Sequence, residues 1–382
     1  MTGAGERLRV ALVHPFSWPE VRRGGERYLD DLGGYLAGRG HEVEVITGTD
    51  GPSTTDEGSG GVVVRRLHHR LGRRLERVDV SKADAFGAVA FPRLLVGRYD
   101  VVHALTPSPA LAARATRNST VFTILGHPTA DQLGVRRFDE RIFNAALRRS
   151  SAVVALSRAS AAAAQEVFGM PVGVLPPGVR LERFPLDPDP RTGPPRVLFS
   201  AASDDPRKRL DLVLEAFADL LVRRPDARLL LSGPGDPTWA IERVTRGRDA
   251  VAAAVDRLGA GGLDDVPGRY RAATVTVLPS RYEAFGLALV ESLSSGTPVV
   301  CTEDGGMPEI VDDRGVGRVV PRDDPAALAA ALDEVIALAA DPATPERCAA
   351  HAARWGWEEI GPRHEQLYRS VLAGRGEGAV HA

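Results

Sequence analysis

Short apolar runs rich in β-branched residues alternate with helical stretches along most of this chain. Each run is bounded by glycine, proline or charged residues, which is typical of buried parallel strands. Two of the stretches between runs, residues 82–97 and 158–168, are rich in alanine and predict crossover helices. The repeated alternation indicates a doubly wound α/β layer. In the first half of the chain the runs are LRVALVHP, HEVEVIT, GVVVRRL, YDVVHAL, TVFTIL, SAVVAL and VGVLPPG.

The alternation stops once, at the proline-rich stretch FPLDPDPRTGPP, and then restarts. A chain of 382 residues is also longer than one hydrophobic core usually supports. We therefore predict two Rossmann-like α/β domains whose strands end on a shared cleft, with a linker between them. The predicted segments are a first domain at residues 1–185, a linker at 186–195, a second domain at 196–360 and, at 361–382, a C-terminal helix that can cross back to the first domain.

The composition argues against several classes of protein. A net charge of −2 with 26% charged residues gives no bulk reason to expect nucleic acid as a partner. The only cysteines, Cys301 and Cys348, exclude a disulfide framework and fit a reducing cytoplasm. No apolar run approaches the length of a membrane span, so we expect no stable membrane insertion, while peripheral association stays open. The low-complexity stretch at 48–61 predicts a mobile loop.

The stretch PSRYEAFGLALVES, residues 279–292, combines an expected anion site with two carboxylates. It ends the predicted strand TVTVL, and Gly286 opens a helix there, so the N–H groups of residues 285–287 lie at a helix N-terminus. Such a terminus attracts an anion such as a phosphate. Glu291 lies further along the same helix among apolar residues, where a buried carboxylate needs a donor. Ribose hydroxyls would serve as donors, and an arginine across the domain interface is the structural alternative.

The pattern PSxxExFGLxxxE, followed by GxPVV and GGMPEIV, resembles the retaining glycosyltransferases of family 4. These enzymes carry an E-x7-E signature and have the GT-B fold, in which two doubly wound Rossmann-like domains face a central cleft. The stretches GGERYLDDLGGYLAGRGHEVEVIT and VLPPGVRLERFP resemble the family's first loop and helix and its approach to the second domain. The resemblance extends over the whole chain, in the family's order.

The resemblance implies an enzyme that transfers a hexose from a UDP- or GDP-sugar to a hydroxyl group, with retention of anomeric configuration. The acceptor would be a small molecule or a glycolipid, such as an inositol-type polyol, an amino sugar or a secondary-metabolite scaffold. The reaction would need no metal and no cofactor, because the nucleotide sugar is a co-substrate whose diphosphate is held by helix N–H groups and a lysine.

The resemblance also implies roles for single residues. Glu291 would accept the ribose hydroxyls, Glu283 would lie by the transferred sugar, and Lys208 would neutralise the leaving diphosphate. A solvated lysine at a helix start is the structural alternative for Lys208. The remaining candidates are His127 as a catalytic contact, backbone contacts to the donor at Gly24, Gly25, Leu258, Phe285, Gly286 and Leu287, and two donor-binding cations, Arg207 and Arg209.

Two departures from the family's pattern affect these roles. The family usually has an arginine shortly before the lysine, whereas residues 201–203 are Ala-Ala-Ser in this chain. Arg207 or Arg209 is the nearest substitute, although a displaced guanidinium is not equivalent. The family also commonly has T-x-H-G, and here Leu125 stands in place of the histidine while His127 follows the glycine. Either His127 supplies the same group from a shifted loop, or a contact to the sugar or acceptor is lost.

Other candidates are weaker. The DPD triplet at 187–189 matches a D-x-D metal motif but lies in the predicted linker. His68 and His69 lie in a run of arginines that forms either a solvated face or a site for an anionic acceptor or membrane surface. His14 and His103 lie at predicted strand ends that face the cleft, where they either contact the acceptor or are buried structural histidines.

Two rival functions stay open. The departures suggest a pseudoenzyme that binds a nucleotide sugar without transferring it. A dehydrogenase or epimerase would share the βαβ repeats. Residues 10–40, however, lack GxGxxG and a following ribose-binding acid at the usual spacing.

Overall fold

The computed structural model describes residues 6–69, 82–116, 118–129, 137–187, 193–246, 249–262 and 264–374. The chain forms two compact units: unit 1 consists of Met1–Gly178 and Trp357–Ala382, and unit 2 of Val179–Gly356. Each unit contains one sheet of the doubly wound type, which confirms the predicted α/β class. The linker predicted at 186–195 extends outside the described residues, and its bounds stay a prediction.

The sheet of unit 1 is parallel in its described strands except at one edge. Its strand order is β3-β4-β2-β1-β5-β6-β7-β8, and β3 pairs with β4 in the antiparallel direction. The order reverses between β1 and β5, where Val10 pairs with Val101. The strands are β1 (Arg9–Val13), β2 (Glu42–Thr49), β3 (Thr54–Glu57), β4 (Val63–His68), β5 (Val101–Ala104), β6 (Ser119–Ile124), β7 (Ala152–Ala155) and β8 (Gly173–Val174).

Helices connect the parallel strands of unit 1. The helix predicted at 158–168 is confirmed, and the one predicted at 82–97 ends one residue earlier. The helix at 158–168 is capped at both ends: the Ser157 hydroxyl accepts the N–H of Ser160, and Gly169 adopts φ +65°, which favours glycine. The helices are α1 (Gly24–Gly38), α2 (Lys82–Val96), α3 (Pro107–Ala115), α4 (Arg137–Arg149) and α5 (Arg158–Phe168).

The described sheet of unit 2 is parallel throughout, in the order β11-β10-β9-β12-β13-β14. Here the order reverses between β9 and β12, where Val197 pairs with Val275. The strands are β9 (Arg196–Ser200), β10 (Arg228–Ser232), β11 (Val255–Gly259), β12 (Val275–Leu278), β13 (Val299–Thr302) and β14 (Gly317–Val320).

The helices of unit 2 surround a core that includes the fully buried Phe199 and Phe217. A final helix after them returns to unit 1. The helices are α6 (Leu210–Arg223), α7 (Thr238–Thr245), α8 (Asp249–Ala253), α9 (Asp265–Ala272), α10 (Leu287–Ser294), α11 (Met307–Ile310), α12 (Pro325–Leu338) and α13 (Thr344–Ala352) in unit 2, and α14 (Trp357–Leu372) in unit 1.

Two strands differ from the expectation drawn from the sequence. The stretch at 48–61, predicted as a mobile loop, contains strand β3, so that prediction is wrong for Thr54–Glu57. All four residues of β3 are exposed, so no apolar pattern marks the strand in the sequence. Strand β11 was not expected either, because an edge strand with the sequence VDRLG has no continuous apolar run.

A fully buried group of histidines and tyrosines fixes α14 within unit 1. The Tyr28 hydroxyl lies 2.9 Å from Nε2 of His364. Nδ1 of His103 lies 2.8 Å from the Tyr368 hydroxyl, and its Nε2 lies 2.6 Å from the Thr123 hydroxyl. Burial lowers the pKa of His103 to about 3 and that of His364 to about 4. Both rings are therefore neutral and serve as hydrogen-bond partners at neutral pH.

Across the described ranges, no helix combines the length and apolar character that crossing a membrane requires. Cys301 and Cys348 are both buried, and neither forms a disulfide.

Candidate functional site

Two loops of unit 2 meet where its strand order reverses. One loop follows β9 and ends in a short 3₁₀ turn, Pro206–Lys208, and the other follows β12. Nζ of Lys208 donates to Oε2 of Glu283 at 2.6 Å, and the two side chains are 25% and 19% exposed. In open α/β sheets ligands bind beyond the carboxyl ends of the strands at such a reversal. The structure thus brings two of the three predicted catalytic residues into direct contact at the expected place.

Backbone contacts on both sides fix the turn that carries Glu283. The N–H of Arg281 donates to the carbonyl of Arg207 at 2.7 Å. Tyr282 adopts φ +57°, and its N–H donates to the Asp304 carboxylate at 2.6 Å. The carbonyl of Glu283 accepts the N–H of Gly306 at 2.9 Å. The position of the Glu283 carboxylate therefore depends on the segment after β13 as well as on its own loop.

Gly286 forms the start of helix α10, as predicted. It adopts φ +113°, which disfavours other residues, and no side chain caps the helix. The first turn of α10 contains no acidic residue, so nothing within it opposes an anion. Phe285 is buried, with its ring centroid 5.3 Å from that of Trp355. The donor contact predicted for residues 285–287 stays a prediction.

Glu291 lies on α10 and is 4% exposed. The Tyr270 hydroxyl donates to its Oε2 at 2.9 Å and also lies 3.2 Å from the Ser200 hydroxyl. Tyr270 was not among the predicted site residues, because a tyrosine on a helix carries no sequence signal for such a contact. It orients the Glu291 carboxylate, whose predicted role with ribose remains untested.

The two substitute cations differ in their surroundings. Arg207 is 60% exposed and pairs with Asp205 of its own loop at 2.7 Å. Arg209, at φ +55°, is only 15% exposed and is held by Asp211 and Asp323. Arg207 is therefore the more accessible cation near Lys208, whereas Arg209 joins α6 to the loop after β14.

Residues 201–203, where the family's arginine is expected, pack against the loop after β10. The N–H of Ser203 donates to the carbonyl of Pro234 at 2.8 Å, and the N–H of Ala201 donates to the carbonyl of Ser232 at 2.9 Å. Gly233, at φ +145°, leaves no room for a side chain beside Ala201. The Ala-Ala-Ser sequence that replaces the family's arginine therefore lies where the loops after β9 and β10 pack closely against each other.

Leu258, a predicted backbone contact to the donor, lies with Gly259 at the end of the edge strand β11. Arg269 on α9 donates to both carbonyls, from Nη2 to Leu258 at 3.1 Å and from Nη1 to Gly259 at 2.6 Å. Leu258 and Arg269 line an open cavity of about 680 Å³. Arg269 is a second contact that the sequence did not indicate.

The candidates of unit 1 lie near the carboxyl end of its sheet. Gly24 and Gly25 open helix α1. A Cβ at position 25 would lie 2.8 Å from Cδ1 of Leu125, so the side chain that replaces the family's histidine occupies the space beside this glycine. Nδ1 of His127 lies 3.2 Å from the Ser160 hydroxyl. The predicted roles of these residues stay predictions.

The weaker histidine candidates have structural surroundings. His103 is fully buried with both ring nitrogens in contact, so the structural alternative is correct for it. His14 is also buried, its pKa is lowered by burial to about 4, and its Nδ1 lies 2.9 Å from the carbonyl of Phe16. Nδ1 of His68 lies 2.5 Å from the carbonyl of Gly51, and His69 is buried. The arginines at 70–77 and most of the DPD triplet lie outside the described residues.

Among the residues that the structure describes, no group of three or more histidines, cysteines or acids is arranged to hold a metal ion.

Known proteins resemble this chain in both units. A family profile described as "Glycosyl transferases group 1" matches residues 194–337, and one described as "Glycosyltransferase Family 4" matches residues 22–183. Together the two profiles cover most of the chain, one in each unit.

The matches to two actinobacterial relatives cover different fractions of those proteins. D-inositol 3-phosphate glycosyltransferase of Streptomyces bingchenggensis is 35% identical over 226 residues, which are 53% of this chain and 48% of that relative. The match thus spans about half of that relative's length. Phosphatidyl-myo-inositol mannosyltransferase of Mycobacterium tuberculosis is 28% identical over 390 residues, covering 97% of this chain and 98% of that relative.

Solved structures share the fold over nearly the whole chain. Sucrose-phosphate synthase from Thermosynechococcus elongatus has a TM-score of 0.80 at 24% identity and covers 96% of this chain and 100% of its own. HepE of Anabaena, in complex with UDP-glucose, has a TM-score of 0.72 at 17% identity and covers 95% and 100%. With its E-x7-E motif at the reversal of the second sheet, the chain belongs to glycosyltransferase family 4 and has the GT-B fold.

Proposed function

We propose that the protein is a retaining glycosyltransferase that moves a hexose from a UDP- or GDP-sugar to a hydroxyl group of an inositol-type polyol or its lipid. The observation that carries this proposal is the contact between Lys208 and Glu283, beside the uncapped N-terminus of α10 and at the reversal of the sheet. A cation, helix N–H groups and a buried carboxylate are the groups that a diphosphate, a sugar and a ribose need.

In this proposal each group of unit 2 acts on one part of the donor. The N–H groups at the start of α10 hold the diphosphate, and Glu291, oriented by Tyr270, accepts the ribose hydroxyls. Lys208 neutralises the charge that develops on the diphosphate as the glycosidic bond breaks. Glu283 positions the sugar through its remaining oxygen.

Front-side attack is the mechanism that fits these groups best. A double displacement needs a carboxylate free to attack the anomeric carbon. Glu283 is engaged with Lys208 at 2.6 Å, and Glu291 is buried with Tyr270. The acceptor hydroxyl therefore attacks from the side on which the diphosphate leaves, and a diphosphate oxygen takes its proton. Configuration at the anomeric carbon is then retained.

The acceptor class rests on the relatives. The two actinobacterial relatives are named for D-inositol 3-phosphate and phosphatidyl-myo-inositol, so we place an inositol-type polyol first among the acceptors. Amino sugars and secondary-metabolite scaffolds come next. The reaction belongs in the cytoplasm in this proposal, which the unbridged buried cysteines favour.

A screen of nucleotide sugars tests the proposal. A ligand at 100 times its dissociation constant raises the free energy of unfolding by about 2.7 kcal/mol, which a thermal shift detects. The donor found this way is then incubated with inositol, inositol phosphate and phosphatidylinositol vesicles, and proton NMR reads the anomeric configuration of the product. An inverted product contradicts retention. Binding of a donor without transfer or hydrolysis favours the pseudoenzyme, which the absence of an arginine at Ala202 and of a histidine at Leu125 also suggests.

We expect transfer to proceed without a divalent metal. N–H groups and Lys208 supply the charge compensation that Mg²⁺ gives in other phosphate sites. Activity should be the same within about twofold in excess EDTA and in added Mg²⁺ or Mn²⁺, a negligible change in barrier height. Loss of all transfer in EDTA, with recovery on adding metal, would contradict the expectation.

Replacement of Glu291 by alanine should weaken the binding of donor and free nucleotide diphosphate alike. The change removes an acceptor for two ribose hydroxyls and takes the Glu291 acceptor away from the Tyr270 hydroxyl. We expect a loss of about 1 to 3 kcal/mol in binding free energy. Calorimetry with UDP and GDP measures the effect. Ser292→Ala is a matched control on the same helix, because Ser292 is buried and its hydroxyl donates to Thr276 instead. An unchanged nucleotide affinity in Glu291→Ala would make Glu291 a structural residue.

A further inference from the structure

We infer that Asp304 is a positioning residue, which holds Glu283 against Lys208 by fixing the backbone of Tyr282. The inference rests on the proposed function and adds a residue to the same site. Asp304 follows β13 and is not part of the E-x7-E motif, and no donor contact is assigned to it.

Asp304 is almost entirely buried and both of its oxygens are engaged. It is 4% exposed. Oδ1 accepts the N–H of Tyr282 at 2.6 Å, and Oδ2 accepts from Nη1 of Arg322 at 3.3 Å. The Arg322 side chain is 55% exposed, so the arginine balances the buried charge from its solvent side. Oδ2 is thus used by Arg322, and Oδ1 is used to fix the backbone of the loop that carries Tyr282.

Tyr282 needs such a contact because its backbone is in an unfavourable conformation. A φ of +57° is uncommon for a residue other than glycine, asparagine or aspartate. Residues in such regions persist only where the surrounding structure fixes them. The N–H of Tyr282 has no strand or helix partner and is satisfied by Asp304. Without this acceptor the turn can relax towards φ below zero.

Such a relaxation would move Glu283, because it is the next residue in the chain. Other contacts hold the two flanks of the turn: the Thr302 hydroxyl donates to the carbonyl of Ser280 at 3.1 Å, and the N–H of Gly306 donates to that of Glu283 at 2.9 Å. Gly305 lies so close to the Glu283 carbonyl that a Cβ there would collide with it. Asp304 supplies the contact between these flanks. The segment from Thr302 to Gly306 therefore fixes the backbone of the turn from Ser280 to Glu283.

The test separates the position of the acceptor oxygen from its charge. Asp304→Asn keeps an oxygen in place and removes the charge, whereas Asp304→Glu keeps the charge and moves the oxygen by one methylene. Asp304→Ala removes both. Asp341→Ala is the matched control, because Asp341 likewise accepts a backbone N–H, from Ala343 at 3.0 Å, and pairs with an arginine, Arg347, at 3.0 Å.

We expect kcat to fall about ten- to a hundredfold in the alanine and glutamate variants, a change of about 1.4 to 2.7 kcal/mol in the barrier. The asparagine variant should keep kcat within about threefold of wild type, and the Asp341 control should match wild type. Affinity for UDP or GDP, measured by calorimetry, should stay within about twofold in every variant that folds. A kcat that follows charge instead, with asparagine impaired and glutamate intact, would overturn the inference, as would a parallel loss of nucleotide affinity. If Asp304→Ala fails to fold, the asparagine and glutamate variants decide.

Failure of the proposed function gives a different result. A wild-type protein that transfers no sugar from any donor overturns the proposed function. The positioning role of Asp304 is then tested by donor binding, without transfer. Glu283 is proposed to lie by the sugar, so Asp304→Glu should weaken binding of the nucleotide sugar while leaving that of the nucleotide diphosphate unchanged. Equal affinities for both ligands in Asp304→Glu and wild type would overturn the positioning role.

Discussion

Replacement of Lys208 by alanine should lower turnover by about ten- to a hundredfold or more, with a smaller effect on donor affinity. A charged hydrogen-bond partner is worth about 1.5 to 3 kcal/mol, and the charge on the diphosphate is greatest as the glycosidic bond breaks. Residues 201–203 supply no second cation and Arg209 is held by two aspartates, so only Arg207, which pairs with Asp205 of its own loop, is left to share the charge. Steady-state kinetics with the best donor measure kcat and KM separately.

The control for this variant lies at the other end of the same helix. Lys208 precedes α6, and Arg224 follows it, pairing with Asp333 at 2.8 Å. Arg224→Ala thus removes one cation and one ion pair, about 20 Å away for a helix of this length. Turnover in this variant should match wild type. A Lys208→Ala variant with wild-type turnover would make its contact with Glu283 a structural ion pair only.

The contact with Glu283 predicts how the two residues combine. Loss of Lys208 leaves the Glu283 carboxylate unpaired beside the diphosphate, which adds repulsion to the lost attraction. Replacing Glu283 by glutamine in the Lys208→Ala background removes that repulsion. We therefore expect the double variant to lose less than the product of the two single losses, a coupling that a double-mutant cycle measures.

The strands that build the two sheets could be predicted because a buried parallel strand needs apolar, β-branched residues on both faces. The runs TVTVL and TPVV correspond to β12 and β13 in this way. Strands β3 and β11 lacked that signal, because the side chains of β3 are all exposed and none in β11 is buried. For such strands pairing within the folded protein decides the conformation, and propensity does not.

Within the site, the sequence indicated which residues carry charge but not what holds them. Lys208 and Glu283 are 75 positions apart, and only the strand order brings their loops together. Tyr270, Asp304 and Arg269 have no motif of their own, since their roles arise from contacts between loops and helices of the folded unit. Leu125 was identified as a departure, yet its packing beside Gly25 depends on the path of the loop after β6.

Acid should destabilise unit 1 well above the pH at which its carboxylates are protonated. Burial lowers the pKa of His103 to about 3 and that of His364 to about 4, from an ordinary value of 6.5. Below pH 6.5 the unfolded chain therefore binds protons at these two positions that the folded chain does not. The free energy of unfolding falls as pH falls, by up to about 1.4 kcal/mol per pH unit for each histidine. At pH 5 the two together should reduce it by about 4 kcal/mol, and the loss levels off only near pH 3 to 4.

Urea titrations at pH 7.5 and pH 5, followed by far-UV circular dichroism, measure this difference. In His364→Gln, an amide can retain the contact with the Tyr28 hydroxyl but does not titrate, so the loss between the two pH values should shrink by about 2 kcal/mol. Leu36→Ala is the control, because Leu36 is fully buried in α1 and its loss lowers stability at both pH values by a similar amount of about 2 to 5 kcal/mol. Equal pH dependence in His364→Gln and wild type would contradict the assignment. If the dependence shrinks as expected, the contact between α14 and the first sheet is one acid-sensitive part of unit 1, because His364 lies on that helix and His103 on β5. The buried His14, whose pKa burial lowers to about 4, is another.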